Sequence, residues 1–257
     1  MTKQKFILGN WKMNNQLAEI EEFTAHLTNL SQVQHPDLYL GIAPMSPYLS
    51  LVRQKFPPFL HVGAQNISTQ KKGAFTGEIP ASTVSELKGE FVLVGHSERR
   101  SYFHETSSEL AEKIRRAFEE RLLTVFCVGE TLKEREEKSH FDCVKKQMNE
   151  VIELLGDDAQ KILSASFIMA YEPVWAIGTG KVASAKDAEE MHAFISSLLK
   201  EKWGNEFFLP ILYGGSVTAQ NINELLAMPN ISGALVGGAS LKSDSFSLLA
   251  QAAFKFF

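Results

Sequence analysis

Ala170-Tyr171-Glu172-Pro173-Val174-Trp175-Ala176-Ile177-Gly178-Thr179-Gly180-Lys181 follows directly on Ser166-Phe167-Ile168-Met169, and Ser166 to Tyr171 is an apolar run of strand length. Glu172 stands where that strand should end. Pro173 biases it toward an extended backbone, so a carboxylate is held stiffly at a strand terminus. Trp175 and Ile177 put apolar bulk on a connection that should be polar, and Gly178 and Gly180 let the chain turn sharply. Ser184 with Asp187 three residues on reads as a helix start. The connection from Pro173 to Ala183 is 11 residues long, against about 2–6 for a usual βα loop. A stiff start, an apolar tip and a glycine-rich end read as a lid, narrowly ahead of an ordinary surface loop with a stray Trp.

Similar apolar runs recur outward from this point, at Lys5–Gly9, Tyr39–Ala43, Leu60–Ala64, Phe91–Val94, Thr124–Val128, Phe167–Tyr171, Ile211–Tyr213 and Ala234–Val236. Most are continuous rather than alternating, as expected for parallel strands covered on both faces. Amphipathic helices fall between them. Leu17, Ile20, Phe23, Leu27 and Leu30 form one stripe, Leu110, Ile114, Ala117 and Phe118 a second, and Met191, Phe194, Ile195 and Leu198 a third. Thr106 with Glu109 and Thr131 with Glu134 read as capping boxes, and Thr218 as the cap of the helix carrying Ile222, Leu225 and Leu226. No Pro- or Ser-rich linker interrupts the alternation, and the Lys133–Lys138 run reads as a solvated helix face. The expected fold is α/β, a single (β/α)8 barrel over residues 1–257 with a closed parallel sheet inside a ring of helices. The length of 257 residues fits that class, which typically needs about 250.

Bulk properties narrow the function. A net charge of −4 disfavours nucleic acid and acidic membranes as partners. The two cysteines, Cys127 and Cys143, give neither a disulfide framework nor zinc spacing, and read as reduced thiols. The apolar run after Met1-Thr2-Lys3-Gln4-Lys5 is too short for a signal segment, and no stretch reaches membrane-span length. A soluble cytoplasmic protein is the expectation.

In a parallel barrel the functional groups sit at the C-terminal strand ends. The first strand delivers Asn10-Trp11-Lys12, the fourth Gly95-His96-Ser97-Glu98-Arg99, and the sixth Glu172. The last two deliver Gly214-Gly215-Ser216 and Gly237-Gly238. Taken singly, a Lys after a strand is usually solvated, a lone His usually structural, Glu98-Arg99 a surface ion pair, and a Gly pair a tight turn. Together they bring a base, an electrophile and a cation to one mouth, with no metal-ligand cluster and no cofactor site. The glycine pairs suit a phosphate, since backbone N–H groups approach closely only where side chains are absent. Ser216 offers a hydroxyl donor and Gly178 an N–H from the lid.

These residues together resemble the triosephosphate isomerase family over essentially the whole chain. Gly9-Asn10-Trp11-Lys12-Met13-Asn14, Gly95-His96-Ser97-Glu98-Arg99-Arg100, Ala170 to Lys181, and Tyr213-Gly214-Gly215-Ser216-Val217 match the family's motifs in order. The resemblance implies cofactor-independent interconversion of dihydroxyacetone phosphate and D-glyceraldehyde 3-phosphate, a step of glycolysis and gluconeogenesis. It implies the division of labour known for this family, with Glu172 as base and a neutral His96 as electrophile. Asn10 and Lys12 would bind substrate, Lys12 offsetting charge, and Gly178, Ser216, Gly237 and Gly238 would hold the phosphate. It also implies a homodimer in which the Asn66 to Ala81 loop, bearing Phe75 and Thr76, inserts into the neighbouring subunit. Pro80, and Ala185-Lys186 after the lid, depart from residues common in the family, away from the reacting groups.

Two rival readings are weaker. Gly178-Thr179-Gly180-Lys181-Val182-Ala183 fits G-x-G-x-x-A, but that nucleotide motif should start directly after a strand, and Pro173 to Ile177 intervene. A non-catalytic sugar-phosphate-binding barrel would keep the glycine pairs, yet it has no need of Lys12, His96 and Glu172 together.

Overall fold

A computed structural model describes residues 4–177 and 183–257. Eight strands run β1 (Lys5–Asn10), β2 (Leu38–Ala43), β3 (Leu60–Ala64), β4 (Phe91–Val94), β5 (Leu123–Val128), β6 (Phe167–Tyr171), β7 (Ile211–Tyr213) and β8 (Gly233–Val236). Each pairs in parallel with the next, and β8 closes on β1 with Phe6 opposite Gly233. The expected strands all form, four of them starting or ending one residue beyond the apolar run that marks them.

The continuous apolar runs are explained by two separate burial environments. Phe6, Leu8, Phe91, Leu93, Val125, Ile168, Ala170, Leu212 and Leu235 fill the barrel interior. Their neighbours Ile7, Val92, Val94, Phe126, Met169 and Tyr213 pack outward against the helices. With a side-chain period of two, both parities of a strand are buried, so alternation disappears from the sequence.

That parity also aims the functional residues. Asn10 continues the inward set Phe6, Leu8, and Glu172 continues Ile168, Ala170, so each points into the mouth where its strand ends. His96 has the opposite parity from Phe91 and Leu93. Gly95, at φ +76°, breaks the extended backbone and re-aims the chain there; that left-handed conformation comes without strain only to a residue lacking Cβ.

The helices follow the apolar stripes with local corrections. Leu110, Ile114 and Ala117 are buried on the helix Ser107–Glu119, and Met191 and Ile195 on Ala185–Trp203. Leu17, the first residue of its helix, is exposed, and the rest of the first stripe is divided between that helix at Leu17–Ala25 and a tighter 3₁₀ turn at Leu27–Gln32. The boxes at Thr106/Glu109, Thr131/Glu134 and Ser184/Asp187 all form in both directions. Thr218 does not cap: the helix spans Ile222–Leu226, and Thr218 meets its start through backbone atoms, its carbonyl accepting from the Ile222 N–H and its N–H donating to Asn221 Oδ1 at 2.9 Å. The Lys133–Lys138 run is not wholly solvated, since Arg135 turns inward to Asp187 Oδ1 at 3.0 Å. No helix among the described residues is long and apolar enough to cross a membrane.

Candidate functional site

The loops after β1 and β8 are stitched together, and this sets Lys12 in place. Trp11 is fully buried, packs edge-on against Phe23 at 5.1 Å, and donates its indole N–H to the Ser240 carbonyl at 2.8 Å. Asn15 Nδ2 donates to the Leu241 carbonyl at 3.0 Å. Between them Lys12 adopts φ +51°, a left-handed conformation that costs a non-glycine residue roughly 1–2 kcal/mol. Two side chains hold it there. Asn10 Oδ1 accepts from the Lys12 N–H at 3.0 Å, and Gln65 Nε2 donates to the Lys12 carbonyl at 2.8 Å. The ammonium pairs with Glu98 Oε1 at 2.5 Å. Glu98 and Arg99 are therefore not a pair with each other: Arg99 binds Glu105.

His96 caps the short helix Ser97–Tyr102 with its ring, Nδ1 accepting from the Glu98 N–H at 3.1 Å. A nitrogen that accepts a backbone N–H bears no proton of its own, so the ring proton sits on Nε2. Nε2 lies 3.2 Å from Glu172 Oε1.

Glu172 is 1% exposed. Its Oε2 accepts from the Ser97 N–H at 2.9 Å, while Oε1, misaligned with His96, has no hydrogen-bond partner. Its backbone is fixed by a bond from its N–H to the Val128 carbonyl at 2.8 Å. A Cβ on Gly129, just beyond β5, would sit 1.8 Å from the Glu172 carbonyl oxygen, so β5 and β6 reach this spacing only with glycine. Leaving one oxygen of a buried carboxylate unpartnered is costly, and that oxygen faces His96 across the mouth.

The connection after Glu172 is anchored at its base. Glu130 is fully buried and accepts from the Trp175 indole at 2.8 Å and the Tyr171 hydroxyl at 3.0 Å. Burial raises its pKa, opposed chiefly by the Trp175 hydrogen bond. Trp175 is thus tethered by its N–H as well as packed. The Ser216 hydroxyl donates to the Ala176 carbonyl at 2.6 Å, so it is engaged with this connection rather than free as a ligand donor.

A pocket of about 350 Å³ gathers these groups. Asn10, Lys12, His96, Glu172, Ser216, Gly237 and Gly238 all line it, with Gly214, Gly215 and Ile177. Of the expected site residues only Gly178 lies outside the described residues. A Cβ on Gly238 would meet nothing within 4 Å, so the wall there is bare backbone. Gly238–Ser240 is a 3₁₀ turn, and the first N–H groups of such a turn have no internal partner. Such N–H groups can hold an anion, and a Cβ on the neighbouring Gly237 would lie 3.7 Å from Lys12 Cε. The volume is at the low end of the roughly 300–1,000 Å³ typical of ligand pockets, which suits a small substrate and not a dinucleotide. Gln65, which holds the Lys12 carbonyl, carries no signal in the sequence. Ser97 and Glu98 stand in the quoted Gly95–Arg99 run, but that Ser97 holds Glu172 through its backbone N–H and that Glu98 pairs with Lys12 is not revealed by residue type.

A closed (β/α)8 barrel whose mouth sets a buried carboxylate, an imidazole and an ammonium beside a wall of bare glycine backbone defines a class: barrels equipped to move a proton on a small substrate. The particular family follows from comparison, since a family model described as triosephosphate isomerase matches residues 5–253. The chain is 41% identical to the triosephosphate isomerase of Alkaliphilus metalliredigens, over 95% of this chain and 97% of that one. It is 40% identical to that of Colwellia psychrerythraea, over 98% and 99% of the two chains. For Phocaeicola vulgatus the identity is 41%, over 95% and 96%. The chain belongs to the triosephosphate isomerase family.

Proposed function

We propose that this protein interconverts dihydroxyacetone phosphate and D-glyceraldehyde 3-phosphate through an enediolate, in glycolysis and gluconeogenesis. The observation that carries the reading is the meeting of Glu172, His96 and Lys12 at one pocket that the backbone of Gly237 and Gly238 also lines. Glu172 is the base: it takes the proton from the carbon beside the carbonyl and returns it to the neighbouring carbon. His96, donating from Nε2, polarises the carbonyl and stabilises the oxyanion that forms. Asn10 and Lys12 hold the substrate oxygens. Gly237 and Gly238, with the Ser216 backbone and Gly178, hold the phosphate. Residues 173 to 183 close over the site and keep water from the intermediate. The test is a coupled assay in each direction with purified protein and no added cofactor. Turnover of both trioses supports the reading, and absence of turnover with folded protein overturns it.

The same reading takes the whole chain, residues 1–257, as one barrel domain acting in the cytoplasm. Both cysteines are free. It also takes the protein as a homodimer through the loop from Asn66 to Ala81. That loop is docked at its base by Lys113 Nζ to Asn66 Oδ1 at 2.8 Å and by Arg116 Nε to the Thr69 carbonyl at 3.0 Å. Its tip is exposed, with Phe75 at 47%. Met13, Tyr102 and Phe103 are exposed as well, at 87%, 76% and 65%, on the connections after β1 and β4. Large apolar side chains left bare on these connections support that reading. Sedimentation at micromolar concentration is expected to give twice the chain mass of 28.6 kDa, and replacing Phe75 with Glu to shift the species toward the monomer.

A further inference from the structure

Glu172 borders two cavities. One is the mouth just described. The other, about 130 Å³, shares no lining residue with it except Glu172. The second pocket opens between the helix Ser97–Tyr102 and the start of the segment after β5; Val128 and Val174 form part of its wall, and Ser97, Ser101, Arg100 and Gln147 bring polar side chains to it. The walls are rigid. Thr131 and Glu134 are locked in their capping box, and Gln147 grips Gly129 at both its N–H and its carbonyl, at 3.0 and 2.8 Å. Arg100 donates to the Gly95 and Cys127 carbonyls and pairs with no carboxylate among the described residues. The Ser97 and Ser101 hydroxyls make no hydrogen bond to a described residue, and Ser101 is exposed. A space of this size, reached by several groups with bonding capacity left, takes a few waters.

We propose that this pocket is a solvent port to the catalytic carboxylate, a water site that lets the proton carried by Glu172 exchange with solvent while substrate fills the mouth. The proposal rests on Glu172 being the base. Ser97 joins the two, since it lines the port and its N–H holds Glu172 Oε2. The exchange is balanced: a carboxyl bearing deuterium from the substrate carbon meets water, the carboxyl leaves with hydrogen, and HDO departs through the port. No charge or electron is moved, so turnover does not depend on it. What depends on it is the fate of the label.

Ser101→Leu fills the port at its mouth, and Ser101→Ala leaves it open. With substrate deuterated at the abstracted position and product trapped as it forms, the retained fraction of deuterium is expected to rise about twofold or more in Ser101→Leu, because the port is the leak. Ser101→Ala should match the unmodified protein, and both variants should keep its kcat. Unchanged retention in an active Ser101→Leu enzyme overturns the port, since exchange then runs through the mouth; so does an equal change in both variants. If Ser101→Leu does not fold, Ser101→Val provides a smaller plug, read by the same two outcomes. An unmodified protein that turns over neither triose would sink the proposed activity, a result distinct from unchanged retention.

Discussion

Glu172→Gln is expected to lower kcat by about 10²–10⁴-fold, the range that a positioned general base contributes. The substitution is close to isosteric. A Gln carbonyl oxygen can still accept from the Ser97 N–H that Oε2 now uses. Its amide group, however, would present a donor to His96 Nε2 at the position of Oε1, where that ring also donates, and it has no basicity with which to take a carbon-bound proton. The anion cradle at Gly237 and Gly238 and the Lys12 ammonium are untouched. The loss should therefore fall on kcat, with affinity for a phosphate-bearing inhibitor largely kept. Glu172→Asp separates position from chemistry. It keeps the carboxylate and withdraws it by about the length of one methylene, and a misplacement of roughly 1 Å costs on the order of 10²-fold. Steady-state kinetics in both directions, with inhibitor binding measured in parallel, check the pair. A Gln variant within tenfold of the unmodified kcat would mean that the base lies elsewhere.

How much of this was open to sequence reading depends on whether side chain or backbone carries the information. The barrel was legible because eight apolar runs separated by amphipathic stripes leave few other ways to bury both faces of each strand. Glu172 and Asn10 were legible as strand ends, and parity alone aims them inward. His96 needed Gly95, whose left-handed backbone overrides that parity. The lid's base was only half legible. Trp175 read as misplaced apolar bulk, whereas its indole N–H binds the buried Glu130, which lies 45 residues earlier in the chain. Glu98 and Arg99 read as a surface pair because they are adjacent, yet each bonds outside the pair, to Lys12 and Glu105. Thr218 has the right residue type for a cap, but the helix starts later, at Ile222, and local propensity yields to the path of the chain.

The G-x-G-x-x-A match at Gly178 to Ala183 loses its appeal for a physical reason. The described residues before it, Val174–Ala176, form a 3₁₀ turn rather than a strand. The fixed strand-to-helix hinge that a dinucleotide pyrophosphate requires is therefore missing there. The alternative of a binding-only barrel explains the bare backbone at Gly238, but not the strain and burial invested elsewhere in the pocket: a left-handed Lys12, and a Glu172 kept nearly dry with one oxygen unpartnered. Costs of this kind persist where function requires them.

Lys12→Met should be nearly as damaging as Glu172→Gln, and by a different route. Lys12 is the only Lys or Arg among the described residues lining the pocket. The proposed substrate brings a phosphate, and the reaction adds negative charge on the enediolate oxygen. One ammonium about 4 Å from such a charge is worth on the order of 4 kcal/mol at an effective dielectric of 20, or about 10³-fold in kcat/KM. Methionine matches the length of the stem and removes only the charge. It also frees Glu98, now paired at 2.5 Å, to repel the incoming anion. The effect should therefore appear in KM through the phosphate and in kcat through the enediolate, and both parts should weaken as ionic strength rises. Lys12→Arg keeps the charge but must place a planar guanidinium on a backbone at φ +51°, between Glu98 and the bare Gly237–Gly238 wall. It is expected to recover part of the loss, chiefly in KM, because a fork of donors does not reproduce the reach of a single ammonium. If Lys12→Met stays within tenfold of the unmodified kcat/KM, then the cradle's N–H groups alone carry the anion, and the strained ammonium beside them has no part in the reaction.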